Sequence, residues 1–313
     1  MATVFIDGNQ GTTGLRIVQR LSGRKELTLL TLPGDERKSL SARVAMARKA
    51  DITFLCLPDD ASRELVNALE DGAGRVIDAS TAHRTDPRFT YGFAELSPAQ
   101  ARAIANSGRV AVPGCHAGGC VALLKPLMAA GALKPGVPLA LTSLTGYSGG
   151  GKKMIAEYEA SDLPAPMRAP RPYAVSQAHK HLPEIVHVCG LEAPPVFQPI
   201  VIDFFSGMLV SLPLQQSMLA KPFSLAETGK LYRDFFNGQP LVRVLPENPE
   251  PAVDSVRLSG MDGMELFVTG NDDRMIAYAR FDNLGKGASG AAIQCMNLML
   301  GLPMTDGLVM GER

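Results

Sequence analysis

The feature that most constrains the fold is a glycine-rich segment close to the N-terminus. The letters TVFIDG predict a short strand, and TTGLRIVQRLSG predicts an amphipathic helix. Between them, GNQGTTG places Gly8, Gly11 and Gly14 at the strand-to-helix turn. Glycines let such a turn approach a phosphate closely, and the helix N-terminus offers unpaired N–H groups. We therefore predict a dinucleotide-binding turn that includes Thr12 and Thr13; the alternative is a tight turn without a ligand.

The first part of the chain, residues 1–115, continues this alternation of strands and helices. The segments LTLLTL, DITFLCLP, RVIDAS and RVAVPG predict strands, whereas SLSARVAMARKA and ASRELVNALEDG predict helices. Strands that are nearly continuous apolar runs suit a parallel sheet covered on both faces. The pattern therefore predicts an α/β fold with a doubly wound, Rossmann-type domain.

The pattern changes in residues 116–287, where long β-rich runs dominate. The segments PVFQPIVIDFFSGMLVSLPLQ, LVRVLP, SVRLSGMDGMELFVTG and RMIAYARFDNL predict a mixed or antiparallel sheet. GGCVALLKPLMAAG predicts a helix, and PLALTSLTGYSGGGKK a strand that enters a glycine-rich loop. These residues predict a second domain of the α+β class. The end of the chain, GKGASGAAIQCMNLMLGL, predicts a glycine-rich loop and one apolar helix, whose Met/Leu stripe is typical of core packing.

Composition excludes several classes of partner. Lys and Arg number 31, Asp and Glu also number 31, and the formal net charge is zero. Without a basic excess or a basic run, nothing indicates a nucleic-acid or membrane partner. The N-terminus enters a strand pattern directly, so we expect no signal peptide. The five cysteines are odd in number and scattered, as in a cytoplasmic protein with reduced thiols.

The chain after the second predicted strand bears on which nicotinamide cofactor would bind. NAD sites usually carry Asp or Glu at the end of this strand, where it bonds the ribose 2′-hydroxyl. Here the strand continues as LTLLTLPGDERKS, with Arg37, Lys38 and Ser39 a few residues later. Two cations and a hydroxyl suit a 2′-phosphate, so we predict NADP. The alternative is a solvated loop that carries charges of both signs.

Cys115 stands out among the cysteines. It follows the predicted strand RVAV and a Pro-Gly pair, at the start of the next helix. A helix N-terminus lowers the pKa of a thiol and offers N–H donors to an oxyanion. The other four cysteines lie in apolar strands or helices and suit the usual role of a small buried hydrophobe: Cys56, Cys120, Cys189 and Cys295. Cys115 is therefore predicted to be a nucleophile.

A thiolate beside a nicotinamide indicates carbonyl chemistry, which also needs an acid/base. The segment QAHKHLPEI offers His179 and His181, and the latter lies just before a predicted helix start. His116 is a weaker choice, because side chains adjacent at a helix start usually point apart. A zinc site at Cys115, His116 and Cys120 is a less favoured alternative, since no second cluster has ligand spacing.

Several segments taken together resemble one known family. They are GNQGTTG, DASTAHR, YGFAEL, PGCHAGG, GYSGGGKK, PYAVSQAHKHLPEI and DNLGKGASGAAIQCMNLMLGLPMTDGL, and they span the chain in order. The chain resembles the N-acetyl-γ-glutamyl-phosphate reductase family in its shorter type, which is related to aspartate-semialdehyde dehydrogenase. The resemblance implies NADPH-dependent conversion of an acyl phosphate to an aldehyde through a cysteine thioester, a step of arginine biosynthesis.

The resemblance also implies roles for individual residues. Cys115 would be the nucleophile, His181 the acid/base, and His179 would position the substrate. The DASTAHR segment would place Ser80 near the cofactor and Arg84 near the substrate. The remaining implied contacts are Ser148, Gly149, Lys152 and Lys153 with the anionic groups of the substrate, and Asn283 and Lys286 near the nicotinamide. The final helix, residues 288–313, would pack back on the first domain.

Some alternatives stay open at this stage. Arg84 could instead be a structural ion-pair partner, and Gly149–Gly151 a flexible turn. Relative to the longer type, His-Ala-Gly-Gly follows the nucleophile instead of a Tyr-Pro-Thr-Ala-like run, and Lys152-Lys153 stand where an Arg is common. The rival functions are aspartate-semialdehyde dehydrogenase and a non-catalytic, NADP-binding sensor. The family relation implies a homo-oligomer, a dimer or a tetramer. The ligand spacing leads us to predict no resident metal.

Overall fold

The computed structural model describes residues 1–69 and 74–310. The chain divides into two compact units. The first contains Met1–Gly114 and Ala288–Leu308, and the second contains Cys115–Gly287 together with Val309 and Met310. Cys115, which the sequence analysis placed at the end of the first domain, therefore begins the second unit.

The first unit is built on a parallel sheet. Its elements are β1 (Ala2–Asp7), α1 (Thr12–Leu21), β2 (Leu27–Leu30), α2 (Leu40–Lys49), β3 (Ile52–Leu55), α3 (Asp59–Ala68), β4 (Val76–Asp78), β5 (Thr90–Tyr91), α4 (Pro98–Asn106) and β6 (Arg109–Ala111). All pairings are parallel, in the order β2-β1-β3-β4-β6-β5. Glu70–Gly72, the predicted end of the third helix, lie outside the described residues.

Alternating side chains of the sheet enter two separate cores. On one face, Val4 and Ile6 of β1 pack with α1, α4 and the final helix of the chain. On the other face, Phe5 packs with α2 and α3, where Leu65 is completely buried. Burial on both faces explains the continuous apolar runs of the strands. The predicted doubly wound, Rossmann-type domain is confirmed.

The second unit is built on a mixed sheet. Its elements are α5 (Cys115–Ala129), β7 (Ala140–Gly146), α6 (Gly151–Tyr158), α7 (Ala165–Arg168), β8 (Arg171–Pro172), α8 (Leu182–Cys189), β9 (Val196–Ile202), β10 (Met208–Gln215), α9 (Leu225–Phe235), β11 (Val242–Val244), β12 (Met264–Gly270) and β13 (Arg274–Phe281). The order is β11-β12-β13-β10-β7-β9-β8. The β11/β12 and β7/β9 pairs are parallel, and the others are antiparallel. The predicted α+β domain with a mixed sheet is confirmed.

Helices cover one face of this sheet. A Cβ at Gly119 of α5 would lie 2.5 Å from Val210 Cγ2 and 2.8 Å from Phe281 Cε1, so the helix packs directly against β10 and β13. The opposite face carries partly exposed apolar side chains, among them Leu144, Ile200 and Ile276. Part of this face therefore carries apolar side chains that the unit itself covers only partly.

The structure corrects several local predictions. The glycine-rich loop after β7 is a 3₁₀ turn, Tyr147–Gly150, that leads directly into α6. In SVRLSGMDGMELFVTG, only the last seven residues, Met264–Gly270, form a strand. The final helix is α10 (Gly290–Met299), and a π-helical turn at Gly285–Ser289 precedes it. Residues 300–310 are not helical, and 311–313 lie outside the described residues.

Candidate active site

The glycine turn of the first unit requires glycine at two positions. Gly8 has φ +85°, and a Cβ there would lie 2.2 Å from the backbone oxygen of Cys56. A Cβ at Gly14 would lie 2.4 Å from the backbone oxygen of Gly8. Gly11 is less constrained, because the nearest atom to its Cβ would be 3.6 Å away. Gly8 and Gly14 thus let β1, the turn and α1 approach one another closely.

The same turn fits a phosphate-bearing cofactor. Gly11 is the N-cap of α1, so no side chain caps the N–H groups of the first turn. Thr12 follows it, and its buried Oγ1 has no hydrogen-bond partner within the described part of the chain. Thr13 is partly exposed beside it. Uncapped N–H groups and a spare hydroxyl are the donors that a dinucleotide pyrophosphate accepts.

The predicted 2′-phosphate residues follow β2 in a short 3₁₀ turn, Glu36–Lys38. Arg37 and Lys38 are exposed. Ser39 is the N-cap of α2, and its Oγ accepts a 3.4 Å hydrogen bond from the Ala42 N–H. The two cations are therefore open to solvent, whereas the Ser39 hydroxyl already has a local structural role.

In the DASTAHR segment, Ser80, His83 and Arg84 all make hydrogen bonds within the first unit. Ser80 donates from Oγ to Asp78 Oδ2 at 2.8 Å, and His83 Nδ1 lies 2.5 Å from the same carboxylate oxygen. Arg84 is buried and donates from Nε to the Val112 carbonyl at 2.9 Å and from Nη2 to the Ala79 carbonyl at 3.3 Å. Arg84 therefore braces backbone between the ends of β4 and β6. These two carbonyl contacts favour the structural alternative for Arg84.

Cys115 is the first residue of α5 and is partly exposed. Gly287 packs against it, since a Cβ at Gly287 would lie 3.0 Å from Cys115 Cβ. Burial raises the pKa of the Cys120 thiol well above its usual value and that of Cys189 to about 12. Those two cysteines stay protonated and inert at neutral pH, whereas Cys115 lies at a helix start, where a thiolate is favoured.

His179 and His181 lie side by side in the second unit. Their ring centroids are 4.7 Å apart, and the His181 N–H donates to His179 Nδ1 at 3.2 Å. His181 is buried and is the N-cap of α8, whose first turn contains Pro183 as predicted. The two residues are joined by a turn, in which the Leu182 N–H donates to the His179 carbonyl at 3.0 Å.

His116 belongs to the same group of rings. Its centroid is 5.3 Å from that of His179 and 5.7 Å from that of His181. Its Nδ1 lies 2.6 Å from Ser143 Oγ, and its Nε2 lies 2.6 Å from Tyr173 OH. Burial, followed by the positive charges of His179 and Lys180, lowers the pKa of His116 to about 3. His116 is therefore a neutral, fully engaged member of the cluster.

The loop after β7 is tied to the segment after β13. Ser148 is buried, and its Oγ accepts a 3.0 Å hydrogen bond from Asn283 Nδ2. Asn283 Oδ1 accepts in turn from the Gly207 N–H at 2.9 Å. Gly149 adjoins this link, with Asn283 Nδ2 3.5 Å from where a Cβ would lie. Ser148 and Asn283, to which the resemblance gave separate contacts, therefore hydrogen-bond to each other.

The remaining predicted residues differ in exposure. Lys286 is buried within the π-helical turn, and neighbouring Asp282 accepts the Leu284 N–H at 2.6 Å and the Gly285 N–H at 3.1 Å. Lys152 is exposed in the first turn of α6. The Lys153 side chain is 91% exposed and lies 4.0 Å from Glu157. Lys286 is fixed in place, whereas the two α6 lysines extend into solvent.

Sequence reasoning missed Tyr173 and Ser143, and it did not predict the contacts that His116 makes with them. Tyr173 was quoted only as part of a resembling segment, and Ser143 only as part of a strand. A local signal existed for Ser143, because it is a polar residue at a core-facing position of β7. Among the described residues, no group of three or more His, Cys, Asp or Glu side chains is arranged to hold a metal ion.

Comparisons with known proteins agree with this arrangement. The family model described as semialdehyde dehydrogenase, NAD binding domain, matches residues 3–104. The model described as semialdehyde dehydrogenase, dimerisation domain, matches residues 115–283. The chain therefore belongs to the semialdehyde dehydrogenase family, and it is an oxidoreductase.

Curated relatives narrow the assignment. A protein of Sinorhizobium medicae named N-acetyl-gamma-glutamyl-phosphate reductase is 46% identical over 305 residues, which cover 95% of this chain and 98% of the relative. A protein of Brucella ovis with the same name is 45% identical over the same length and coverage. The resemblance found in the sequence is thereby confirmed.

Solved structures support the fold. Aspartate semialdehyde dehydrogenase II from Vibrio cholerae matches with a TM-score of 0.72 and 16% identity over 96% of this chain and 99% of that chain. The enzyme from Francisella tularensis matches with a TM-score of 0.72 and 15% identity over 96% and 100%. In the described ranges, no helix is long and apolar enough to cross a membrane.

Proposed function

We propose that the chain catalyses the reversible, NADPH-dependent conversion of N-acetyl-γ-glutamyl phosphate to N-acetylglutamate semialdehyde and phosphate, in the cytoplasm. The observation that carries the proposal is Cys115 at the start of α5, in the unit that also holds the paired rings of His179 and His181. The names of the curated relatives support the substrate. Five cysteines without a disulfide suit a reducing compartment.

The cofactor would be held by the first unit. Gly8, Gly11 and Gly14 bring the turn close to the pyrophosphate, and Thr12 adds its spare hydroxyl. The exposed residues Arg37 and Lys38 would neutralise a 2′-phosphate, which favours NADP over NAD; Ser80, Asn283 and Lys286 remain proposed cofactor neighbours. When bound, the reduced nicotinamide supplies the hydride that takes the acyl group to the aldehyde level.

Cys115 begins the reaction. Its thiolate attacks the acyl carbon, the carbon–sulfur bond forms, and the bond to phosphate breaks to leave a thioester. After reduction, His181 gives a proton to the oxyanion and takes one back as the aldehyde leaves and the thiolate is restored. His179 accepts the His181 N–H and so fixes the turn that carries the acid/base. N–H groups at the start of α5 stabilise the oxyanion.

The substrate's anionic groups would meet the segment after β7. We assign Ser148, Gly149 and Lys152 to this contact, because a buried hydroxyl, a glycine turn and a helix N-terminus lie within five residues. Lys153 would contribute only through its charge, since its side chain is 91% exposed. Arg84 would act by bracing backbone, given its two carbonyl contacts.

The test is the reverse reaction. NADPH formation from NADP, phosphate and N-acetylglutamate semialdehyde is measured beside aspartate semialdehyde, for the wild type, Cys115→Ser and the control Cys189→Ala. We expect phosphate-dependent turnover of the acetylated aldehyde, lost by about 10³-fold or more in Cys115→Ser and retained in the control. Preference for the aspartyl compound would contradict the substrate, and NADP binding without any turnover would indicate a sensor.

We also propose that the chain forms a homo-oligomer, a dimer or a tetramer, through the partly exposed apolar side chains on this face of the mixed sheet. Leu144 and Ile200 are paired neighbours on this face, and Tyr278 and Ile276 continue it on β13. Apolar patches of this kind commonly mark interfaces. Light scattering tests the proposal: a particle mass of 33.3 kDa, that of one chain, would contradict it.

A further inference from the structure

Three side chains of the second unit form a continuous hydrogen-bonded chain. Ser143 Oγ lies 2.6 Å from His116 Nδ1, and His116 Nε2 lies 2.6 Å from Tyr173 OH. Ser143 is completely buried and His116 is 3% exposed. The three residues come from β7, from α5 and from the segment that follows β8. We call this group the Ser-His-Tyr chain.

The protonation states within the Ser-His-Tyr chain are well defined at neutral pH. Burial, with the charges of His179 and Lys180, lowers the pKa of His116 to about 3, so its ring is neutral and has one N–H. Burial, followed by the negative charge of Cys115, raises the pKa of Tyr173 far above its usual value. The phenol therefore keeps its proton, and the Cys115 side chain is close enough to act on it electrostatically.

The hydrogen bonds of the Ser-His-Tyr chain have one direction that satisfies every atom. Within residues 1–69 and 74–310, the hydroxyl of Ser143 has only His116 as a partner. Ser143 must therefore donate to Nδ1, because its proton would otherwise be buried without an acceptor. His116 then carries its proton on Nε2 and donates to the Tyr173 oxygen. The phenolic proton is left to donate outward, to a third group.

We propose that this third group is the carbonyl oxygen of the acyl group held by Cys115, and that Tyr173 is a hydrogen-bond donor to the oxyanion. His116 and Ser143 are positioning residues that orient the phenol. His116 directly follows Cys115 at the start of α5, so one member of the chain adjoins the nucleophile along the backbone. The proposal rests on Cys115 as the proposed nucleophile, but not on the identity of the acyl substrate.

Two reactions of Cys115 distinguish two possible roles of Tyr173. The phenol either donates to the oxyanion or acts on the sulfur itself. With p-nitrophenyl acetate, the sulfur–carbon bond forms, p-nitrophenolate leaves, and a carbonyl oxygen becomes an oxyanion on the way. With iodoacetamide, the sulfur displaces iodide from a methylene carbon, and no oxyanion develops. The rate of each reaction at Cys115 is followed in the full chain by mass spectrometry of the peptide that contains it.

We expect Tyr173→Phe to slow acylation of Cys115 by about 10²-fold, as for the loss of other oxyanion donors. Alkylation should stay within about twofold of the wild type, because it follows the thiolate fraction. His116→Phe should slow acylation by about tenfold, with part of the rate recovered in His116→Gln, which keeps a donor. Ser143→Ala should have a smaller effect in the same direction.

The matched control is Tyr232→Phe, which also removes a buried phenol. Tyr232 donates to the Leu123 carbonyl at 2.8 Å and is 1% exposed, but it takes no part in the Ser-His-Tyr chain. This variant should leave the ratio of acylation to alkylation unchanged. Equal slowing of both reactions in Tyr173→Phe, or of neither, would overturn the proposal. The ratio needs no acyl phosphate, so it can be measured even if the proposed substrate is wrong.

Discussion

The two units hold their candidate groups in different ways. In the first unit, the proposed anion site is made of backbone, because glycines at positions 8, 11 and 14 bring N–H groups and a helix start to one turn. In the second unit, the site around Cys115 is made of side chains from separate segments, joined at His116. A short stretch of sequence is enough for the first site, whereas the second depends on the whole fold.

This difference predicts opposite sensitivities. A backbone site has few side chains to remove, but it fails when a Cβ is added where the chain passes close to itself. A side-chain cluster tolerates small changes of backbone, but it depends on hydrogen bonds and on protonation. The two regions can therefore be probed with different variants, and each variant has a matched control within its own region.

The largest expected effect comes from adding one methyl group to the glycine turn. In Gly8→Ala, the new Cβ would meet the Cys56 backbone oxygen at 2.2 Å, at a φ of +85° that alanine rarely adopts. We expect a loss of about 2–4 kcal/mol in the free energy of unfolding, together with loss of NADP binding. Urea denaturation and cofactor titration measure the two effects.

Gly11→Ala is the control for this substitution. Its Cβ would have no neighbour closer than 3.6 Å and φ is −74°, so we expect a loss below about 1 kcal/mol. If both variants lost similar stability, the turn would be generally intolerant of side chains. The close approach of the chain at Gly8 would then not explain the loss of stability in Gly8→Ala.

Much of the fold could be predicted because its signals are local. Each apolar run of the first unit became a strand of the parallel sheet, and Cys115 begins a helix as its position after β6 indicated. Two helices were missed despite local signals. Ser97 caps α4 with Pro98 in its first turn, and Ser224 and Glu227 form a capping box at α9. The sequence contains these signals, but they were not used.

The pairings within the candidate site could not be predicted in the same way. Ser143 is 27 residues from His116, and Tyr173 is 57 residues from it. No spacing rule connects them, since β7 and the segment after β8 meet α5 only in the folded unit. The argument that neighbours at a helix start point apart ranked His116 below His179 and His181 as the acid/base. It could not show that His116 would turn towards Ser143 and Tyr173 instead.

A smaller effect concerns the pH dependence of stability. His116 has a pKa of about 3 in the folded chain against an ordinary value of 6.5, because burial disfavours its charged form. Below pH 6.5 the unfolded chain binds a proton that the folded chain does not, so stability falls as the pH falls. At pH 5.5 the loss from this residue is about 1.4 kcal/mol relative to neutral pH.

The variant His116→Gln should remove this contribution. We expect the free energy of unfolding, measured in urea at pH 7.5 and pH 5.5, to fall less on acidification in His116→Gln than in the wild type. His187→Gln, at an exposed histidine of α8, is the control for the loss of an imidazole. An identical response in all three proteins would mean that the side-chain cluster does not depend on protonation as proposed.

The smallest effect tests whether the backbone site also uses side chains. Arg37 and Lys38 are exposed in the 3₁₀ turn after β2, so each offers the 2′-phosphate of NADP a screened charge. We expect Arg37→Ala or Lys38→Ala to raise the KM for NADP about fivefold, close to 1 kcal/mol, and to leave the KM for NAD unchanged. Arg102→Ala, at an exposed arginine of α4, controls for the general loss of charge.

An equal rise in the KM for both cofactors would indicate that Arg37 and Lys38 bind the pyrophosphate. The backbone turn would then not be sufficient on its own. If the KM rose for neither cofactor, the glycine turn alone would account for cofactor binding. The basis for preferring NADP over NAD would then be lost.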